Sequence, residues 1–428
     1  MLLQLTAIAI FIAIFVIAHL RKAHLGIIMF GAACGTGMWL ASMPLANVVS
    51  GFPVSIMVLL VGVTYFFAIA KANGTIDRLL EYALVRIGNN TVMMPFLFFA
   101  LTAVISAMGS PLGSLVMAPI AMPVAKRCRI DPMLMALAIG SGFSAGGFAP
   151  TSLFGIVTYG TAHEANIDLN PFTLFAVAAS ANVGLLLAAF LLFGGLGLIA
   201  RRGAVATASA APTPEVVPGA ATVTPFNSNQ ITTIVCMIGM LVTVIVASVS
   251  GLNPDVGVLC FAFGAVLSLI DPAAGRKAVA GIDWSTVLLV GGIITFVGVL
   301  QKMGAVDLLG EAARNIGAPL LSALVICAIG GLVSAFVSTT AILAALVPLA
   351  VPLAASGEVT GWAIISSLAV CSSIVDVSPF STVGATLVAT SAEDDRPRLI
   401  TLLTLWGMSM IAVGPILLVG ILVLPGTL

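Results

Sequence analysis

Charge is what this chain has least of: only 7% of its 428 residues are Asp, Glu, Lys or Arg. A water-soluble domain carries about 25%, so this chain cannot clothe a surface in water. That excludes a soluble enzyme, a nucleic-acid binder and a disordered protein. Histidine is scarce as well. His19 and His24 flank the end of one apolar run and His163 lies in a loop beyond another, so they read as interfacial groups. No Lys or Arg lies deep in an apolar run either. The six cysteines (Cys34, Cys128, Cys236, Cys260, Cys327 and Cys371) form no C-x-x-C pair. Neither a metal site nor a disulfide framework is implied, and they read as small core residues.

What is abundant is apolar. Sixty per cent of residues are hydrophobic, and the mean hydropathy is +1.22. The apolar runs are near 20 residues long, which suits membrane-spanning helices and not barrel strands of about ten alternating residues. Spans are expected at 2–20, 25–42, 53–71, 133–161, 172–200, 231–250, 254–270, 284–301, 362–391 and 399–425, those at 133–161 and 362–391 being interrupted. The first run lacks a basic leader and a small-residue cleavage site, so it is expected to be an uncleaved span. Two stretches, 92–125 and 319–355, exceed one crossing and are broken midway by small and polar residues. Two amphipathic segments, Thr75–Gly88 and Ala305–Gly317, combine leucines with charge as an interfacial helix does. Residues 203–230, rich in Ala, Pro, Thr and Val, read as a flexible linker.

The linker separates two related halves, 1–202 and 231–428. At an offset of 229 residues, Leu59–Gly62 falls on Leu288–Gly291, and Pro119, Pro123 and Pro150 fall on Pro348, Pro352 and Pro379. Ser144, Gly155 and Glu164 fall on Ser373, Gly384 and Glu393. Leucine coincidences are cheap in such a composition, but three prolines at one offset are not. If each broken stretch is a re-entrant hairpin, each half crosses five times, and an odd number inverts the second copy. Inverted repeats with discontinuous helices are the architecture of secondary transporters. With the N-terminus outside, fourteen basic residues face the cytoplasm and only Lys302 and Arg314 face out. That bias is the positive-inside rule.

Four places break helices at membrane depth: the hairpin tips Ser106–Ser114 and Ser334–Ala341, and the interruptions Gly146–Ser152 and Asp376–Gly384. Non-helical backbone is tolerated there only where protein or a water-filled cavity satisfies it. Half-helix N-termini and hydroxyls suit an anion. Ser110, Thr151, Ser152, Ser338, Thr339, Thr340, Ser378, Ser381 and Thr382 are therefore the candidate substrate contacts. Packing of small residues between helices is the competing explanation for each cluster. Asp376 is the one acid at depth, and an intramembrane acid is a functional-site candidate by default. It is the candidate cation-coupling residue, with a Na⁺ site near Asp376 and Ser378 or a proton as alternatives. Capping of a half-helix is the other role open to it. A serine hydrolase would need a base at depth, and a channel would show a charged or carbonyl-lined pore. Neither is present in the sequence, so the chain does not read as an enzyme.

The run Ile282–Gly304 and the Ser338-Thr339-Thr340 tip resemble the ion-transporter superfamily, which includes the divalent anion/sodium symporters. Thr339 replaces the Asn of that superfamily's Ser-Asn-Thr tip, and the first tip keeps only Ser110. Leu59–Leu79, Gly109–Arg127 and Ser144–Val157 are similar to the MatC-type dicarboxylate carriers, associated with malonate. The resemblance implies an all-α polytopic fold of two inverted repeats working as an elevator. It also implies a homodimer in the cytoplasmic membrane, a small dicarboxylate substrate and cation coupling, with no bound cofactor. The expected function is a secondary transporter of malonate or a C4-dicarboxylate driven by Na⁺ or H⁺. Alternatives are a cation/proton or oxyanion antiporter on the same fold, or the membrane subunit of a tripartite carrier.

Overall fold

The computed structural model describes residues 2–21, 23–79, 82, 91–109, 113–165, 167–199, 225–250, 255–305, 308, 319–335, 339–354 and 359–426. Among these residues every regular element is helical. The first half runs α1 (Leu2–Arg21), α2 (Leu25–Gly35), α3 (Leu45–Val49), α4 (Val54–Ala72), α5 (Met94–Ala107), α6 (Gly113–Arg127), α7 (Pro132–Gly147), α8 (Leu153–Glu164) and α9 (Pro171–Leu192). The second runs α10 (Ser228–Val249), α11 (Val256–Ile270), α12 (Pro272–Ala280), α13 (Trp284–Lys302), α14 (Pro319–Ser334), α15 (Thr339–Ala354), α16 (Gly361–Ser373), α17 (Thr382–Thr390) and α18 (Arg396–Leu418). Single turns of π-helix extend α2 over Thr36–Leu40 and α18 over Val419–Val423.

Several of the few acids are spent on starting helices. Asp131, Asp255, Asp271 and Asp283 accept the backbone N–H groups of Met133, Val258, Ala274 and Thr286. A carboxylate there satisfies orphan donors and complements the helix dipole. Pro132 and Pro272 follow two of these caps at the first helical position, where a missing N–H costs nothing.

The expected breaks fall where they were read. The 92–125 stretch divides into α5 and α6, and 319–355 into α14 and α15. The interrupted spans divide into α7–α8 and α16–α17. One boundary and two short helices differ. Ser228–Gln230 belong to α10, because Asn227 and Gln230 close its first turn through reciprocal hydrogen bonds of 2.8 and 3.1 Å, so the linker cannot reach residue 230. The short helices α3 and α12 were not anticipated. Most of both amphipathic segments, the tips at 110–112 and 336–338, and residues 203–224 of the linker lie outside the described residues.

Two groups of helices emerge from the packing. In one, α2 lies along α13 and α4 along α11 and α12. Glycine makes these approaches close: a Cβ on Gly292 would stand 2.0 Å from the Gly26 carbonyl, and one on Gly62 would stand 2.4 Å from the Gly257 carbonyl. In the other, α7 is packed by α5, α6 and α9, and α16 by α14, α15 and α18. Every residue of α7 from Met133 to Gly147, and of α16 from Ala363 to Ser373, is buried. A helix apolar all round belongs in the interior. The halves of this second group interlock, α8 against α15 and α17 against α6. Among the described residues, four helices are long and apolar enough to cross a membrane unaided.

Candidate functional site

The two broken spans meet at the centre of the second group. The Ser144 and Ser373 hydroxyls, 229 residues apart, lie 2.6 Å from each other. Asn182 of α9 donates to Ser144 Oγ at 3.2 Å and to its own Ala178 carbonyl at 2.9 Å. Ser373 reaches the Val370 carbonyl at 3.0 Å. All three side chains are buried. The remaining Asn182 oxygen has no hydrogen-bond partner among the described residues. The Asp376 loop starts here, since the Asp376 N–H donates to the Ser373 carbonyl.

Asp376 itself is buried. Thr339, at the start of α15, donates to its Oδ2 at 2.5 Å. The Thr339 hydroxyl has one hydrogen, and the carboxylate takes it. The Ser334 hydroxyl, 2.8 Å from Thr339, must therefore be the donor of that second bond. A directed chain results, Ser334 to Thr339 to Asp376, which closes the neck of the second hairpin and ties it to the second broken span. Capping of α17 falls to another residue. Ser381 Oγ accepts from the Gly384 N–H at 3.0 Å and donates to the Asp376 carbonyl. The Asp376 carboxylate is thus not used as a helix cap.

The first half is closed differently. Its residue at the Asp376 position is Gly147. Thr151 donates to the Ala107 carbonyl at 2.5 Å, and Ser152 donates to the Ser106 carbonyl at 2.6 Å. Both hydroxyls are spent on the first hairpin, so they are not free donors in this conformation. On the facing arms of that hairpin the buried Ser106 and Ser114 hydroxyls have no hydrogen-bond partner among the described residues. Gly109 turns the chain there with φ of 74°, where a Cβ would stand 2.9 Å from Val63 of α4.

The remaining candidates fall around the second centre. Thr340 is buried in the first turn of α15, and Ser378 is wholly buried against Gly407 of α18. Thr382 is exposed at the start of α17. Ser110 and Ser338 lie outside the described residues. The structure therefore gathers Thr339, Asp376, Ser378 and Ser381 at one break, with Thr151 and Ser152 at the other. Sequence reading named the Ser334–Ala341 tip but did not single out Ser334, and Asn182 it missed. A lone Asn in the apolar run Pro171–Leu192 was the available signal. Chemically, the second centre offers oxygen ligands and one carboxylate, as a hard cation or a proton requires.

Comparison with known proteins follows the same direction. Residues 1–147 match the family model described as the N-terminus of the dicarboxylate carrier protein MatC, so the sequence resemblance holds over that region. No curated protein matches the chain. Among solved structures, the Alcanivorax borkumensis YdaH transporter, reported to have an unusual topology, aligns with a TM-score of 0.55 at 17% identity. The alignment covers 87% of this chain and 86% of that one. At that identity the likeness shows the fold alone, one shared with that transporter.

Proposed function

We propose that this chain, with a MatC-type N-terminal region on a transporter fold, is a secondary active transporter of a small dicarboxylate driven by a cation, Na⁺ or H⁺. The observation that carries the reading is the chain Ser334–Thr339–Asp376. In it the buried Asp376 carboxylate is bonded to Thr339, at the start of α15, which supports reading this break as the coupling site. A dianion entering a cell moves against an inside-negative potential at about 2.3 kcal/mol per charge per 100 mV. Co-transported cations are then needed, and Asp376 is the acid at depth that can serve them. Substrate carboxylates are taken by hydroxyls and freed N–H groups, since no Lys or Arg is placed at depth.

The mechanism proposed is an elevator built from inverted repeats in the cytoplasmic membrane, with the N-terminus outside, working as a homodimer. Supporting it are the two helix groups, the equivalent order of elements in both halves and the Ser144–Ser373 contact between equivalent residues. The group containing both hairpins and both broken spans is the moving part, and α1–α4 with α10–α13 is the frame. The test is uptake by purified protein in liposomes, with malonate, succinate and malate competing under separate Na⁺ and pH gradients. Gradient-driven dicarboxylate uptake is expected. Absence of flux under both gradients would remove the reading.

A further inference from the structure

Two residue pairs at opposite ends of the molecule are chemically the same but differently engaged. Helices α4 and α13 are structural equivalents. Each ends at a glycine of positive φ, Gly74 at 74° and Gly304 at 70°. Each carries the glycine of a close approach, Gly62 or Gly292. In that packing register, an offset of 230 and so one residue beyond the 229 of the sequence match, Ser55, in the first turn of α4, corresponds to Ser285, in the first turn of α13. Glu164, ending α8, corresponds to Glu393, just beyond α17.

Here the first pair is made. Ser55 donates to Glu164 Oε1 at 2.7 Å. Beneath it α8 lies on α4, so close that a Cβ on Gly160 would stand 2.8 Å from Ile56. The second pair is apart. Ser285 is bonded to His24 Nε2 at 3.0 Å, and Glu393 is exposed. No comparable packing joins α17 to α13 among the described residues, and Thr382, Ala385 and Ala389 leave α17 an exposed face. The His24 ring prepares Ser285 for a carboxylate. Its Nδ1 accepts from the Ile27 N–H at 3.4 Å, so the proton sits on Nε2 and is given to Ser285 Oγ. The hydrogen of Ser285 itself remains to be donated.

We propose that Ser55–Glu164 and Ser285–Glu393 are two latches of one equilibrium, closed alternately at opposite membrane faces. This rests on the inverted-repeat reading given above. In this structure the latch on the side that the charge pattern places outside is closed. In the alternate conformation α17 docks on α13 as α8 docks on α4 here, and Glu393 takes the free hydrogen of Ser285. An exposed charge-assisted bond is weak, so each latch tips a balanced equilibrium and does not bolt it.

The experiment uses full-length protein in liposomes with the native cysteines replaced. One pair carries Ser55→Cys with Glu164→Cys, the other Ser285→Cys with Glu393→Cys, and a third form carries all four. Each pair is expected to cross-link on oxidation. In the four-cysteine form, closing either pair first should lower the yield of the other about fivefold or more. A second pair that never cross-links, or both pairs closing in one molecule, would overturn the proposal. Glu164→Gln, in the background of the second pair, should raise that pair's yield by about threefold. An unchanged yield would remove the carboxylate from the latch. Dicarboxylate flux is scored separately. Flux without exclusive cross-links sinks the latches alone, and exclusive cross-links without flux sink the substrate assignment alone.

Discussion

Asp376 sits between a hydroxyl donor from one element and a loop held by its own carbonyl. Its neighbours fix where its charge points, and its role follows from that. Asp376→Asn removes the charge and nearly keeps the shape, so gradient-driven accumulation should vanish. Wild-type accumulation under both Na⁺ and pH gradients would reduce Asp376 to a loop residue. Thr339→Ala removes a bond to a charged group, worth about 1.5–3 kcal/mol. The cation concentration for half-maximal uptake should rise roughly tenfold or more, while Thr339→Ser should hold it near wild type. Equal curves for all three forms would dismiss the Thr339 contact. Ser381→Ala strips the cap of α17, which costs about 0.5–2 kcal/mol. A lower melting temperature should accompany any loss of substrate affinity, so the two must be measured together.

Between elements, close approach is governed by glycine. At Gly292 a Cβ would enter the Gly26 carbonyl, which belongs to rigid helix backbone. Gly292→Ala must therefore push α2 from α13, and overpacking of that kind costs about 1–3 kcal/mol. Gly184, in α9, has nothing within 4 Å of where its Cβ would lie. Gly184→Ala should be neutral or stabilising by about 0.5–1 kcal/mol, since alanine loses less entropy in a helix. Thermal unfolding in detergent separates the two. Equal stability of both variants would mean that α2 and α13 are not held at the distance seen here. Elements also show what sequence reading caught. The breaks at Ser106–Ser114 and Asp376–Gly384 were legible because Pro, Gly and clustered hydroxyls interrupt apolar runs. Helix α12 was not, because Pro272–Ala280 is short and basic, and its buried face of Ala274, Gly275 and Ala278 has no large apolar side chain to mark it.

For the molecule as a whole, the distribution of basic residues makes a topological prediction. With both hairpins re-entrant, Gly357 is external and Ala204 cytoplasmic. In a cysteine-free background, Gly357→Cys should react with an impermeant thiol reagent applied to intact cells, and Ala204→Cys should not. The reverse labelling would overturn the inverted arrangement and with it the assignment of faces. Charge pairs at the end assigned to the cytoplasm join the two halves: Arg398 to Asp131 at 2.8 Å and Lys126 to Asp394 at 3.7 Å. Exposed pairs of this sort contribute about 0–1 kcal/mol each, so they orient the halves more than they hold them.

By itself the sequence determined the membrane setting, the helical class, the places where helices break and, in Asp376, the one Asp or Glu that is buried among the described residues. Each of these depends on local composition: apolar runs demand helices in lipid, and prolines, glycines and hydroxyls mark where the helices stop. The tertiary structure decided which hydroxyls serve which carboxylate. Thr151 and Ser152 read the same as Thr339 and Ser381 in one dimension. Folding spends the first two on the carbonyls of Ala107 and Ser106, gives Thr339 to Asp376 and turns Ser381 into a cap. A hydroxyl's partner depends on which helix lies opposite, and that distance is set by packing between residues far apart in the chain.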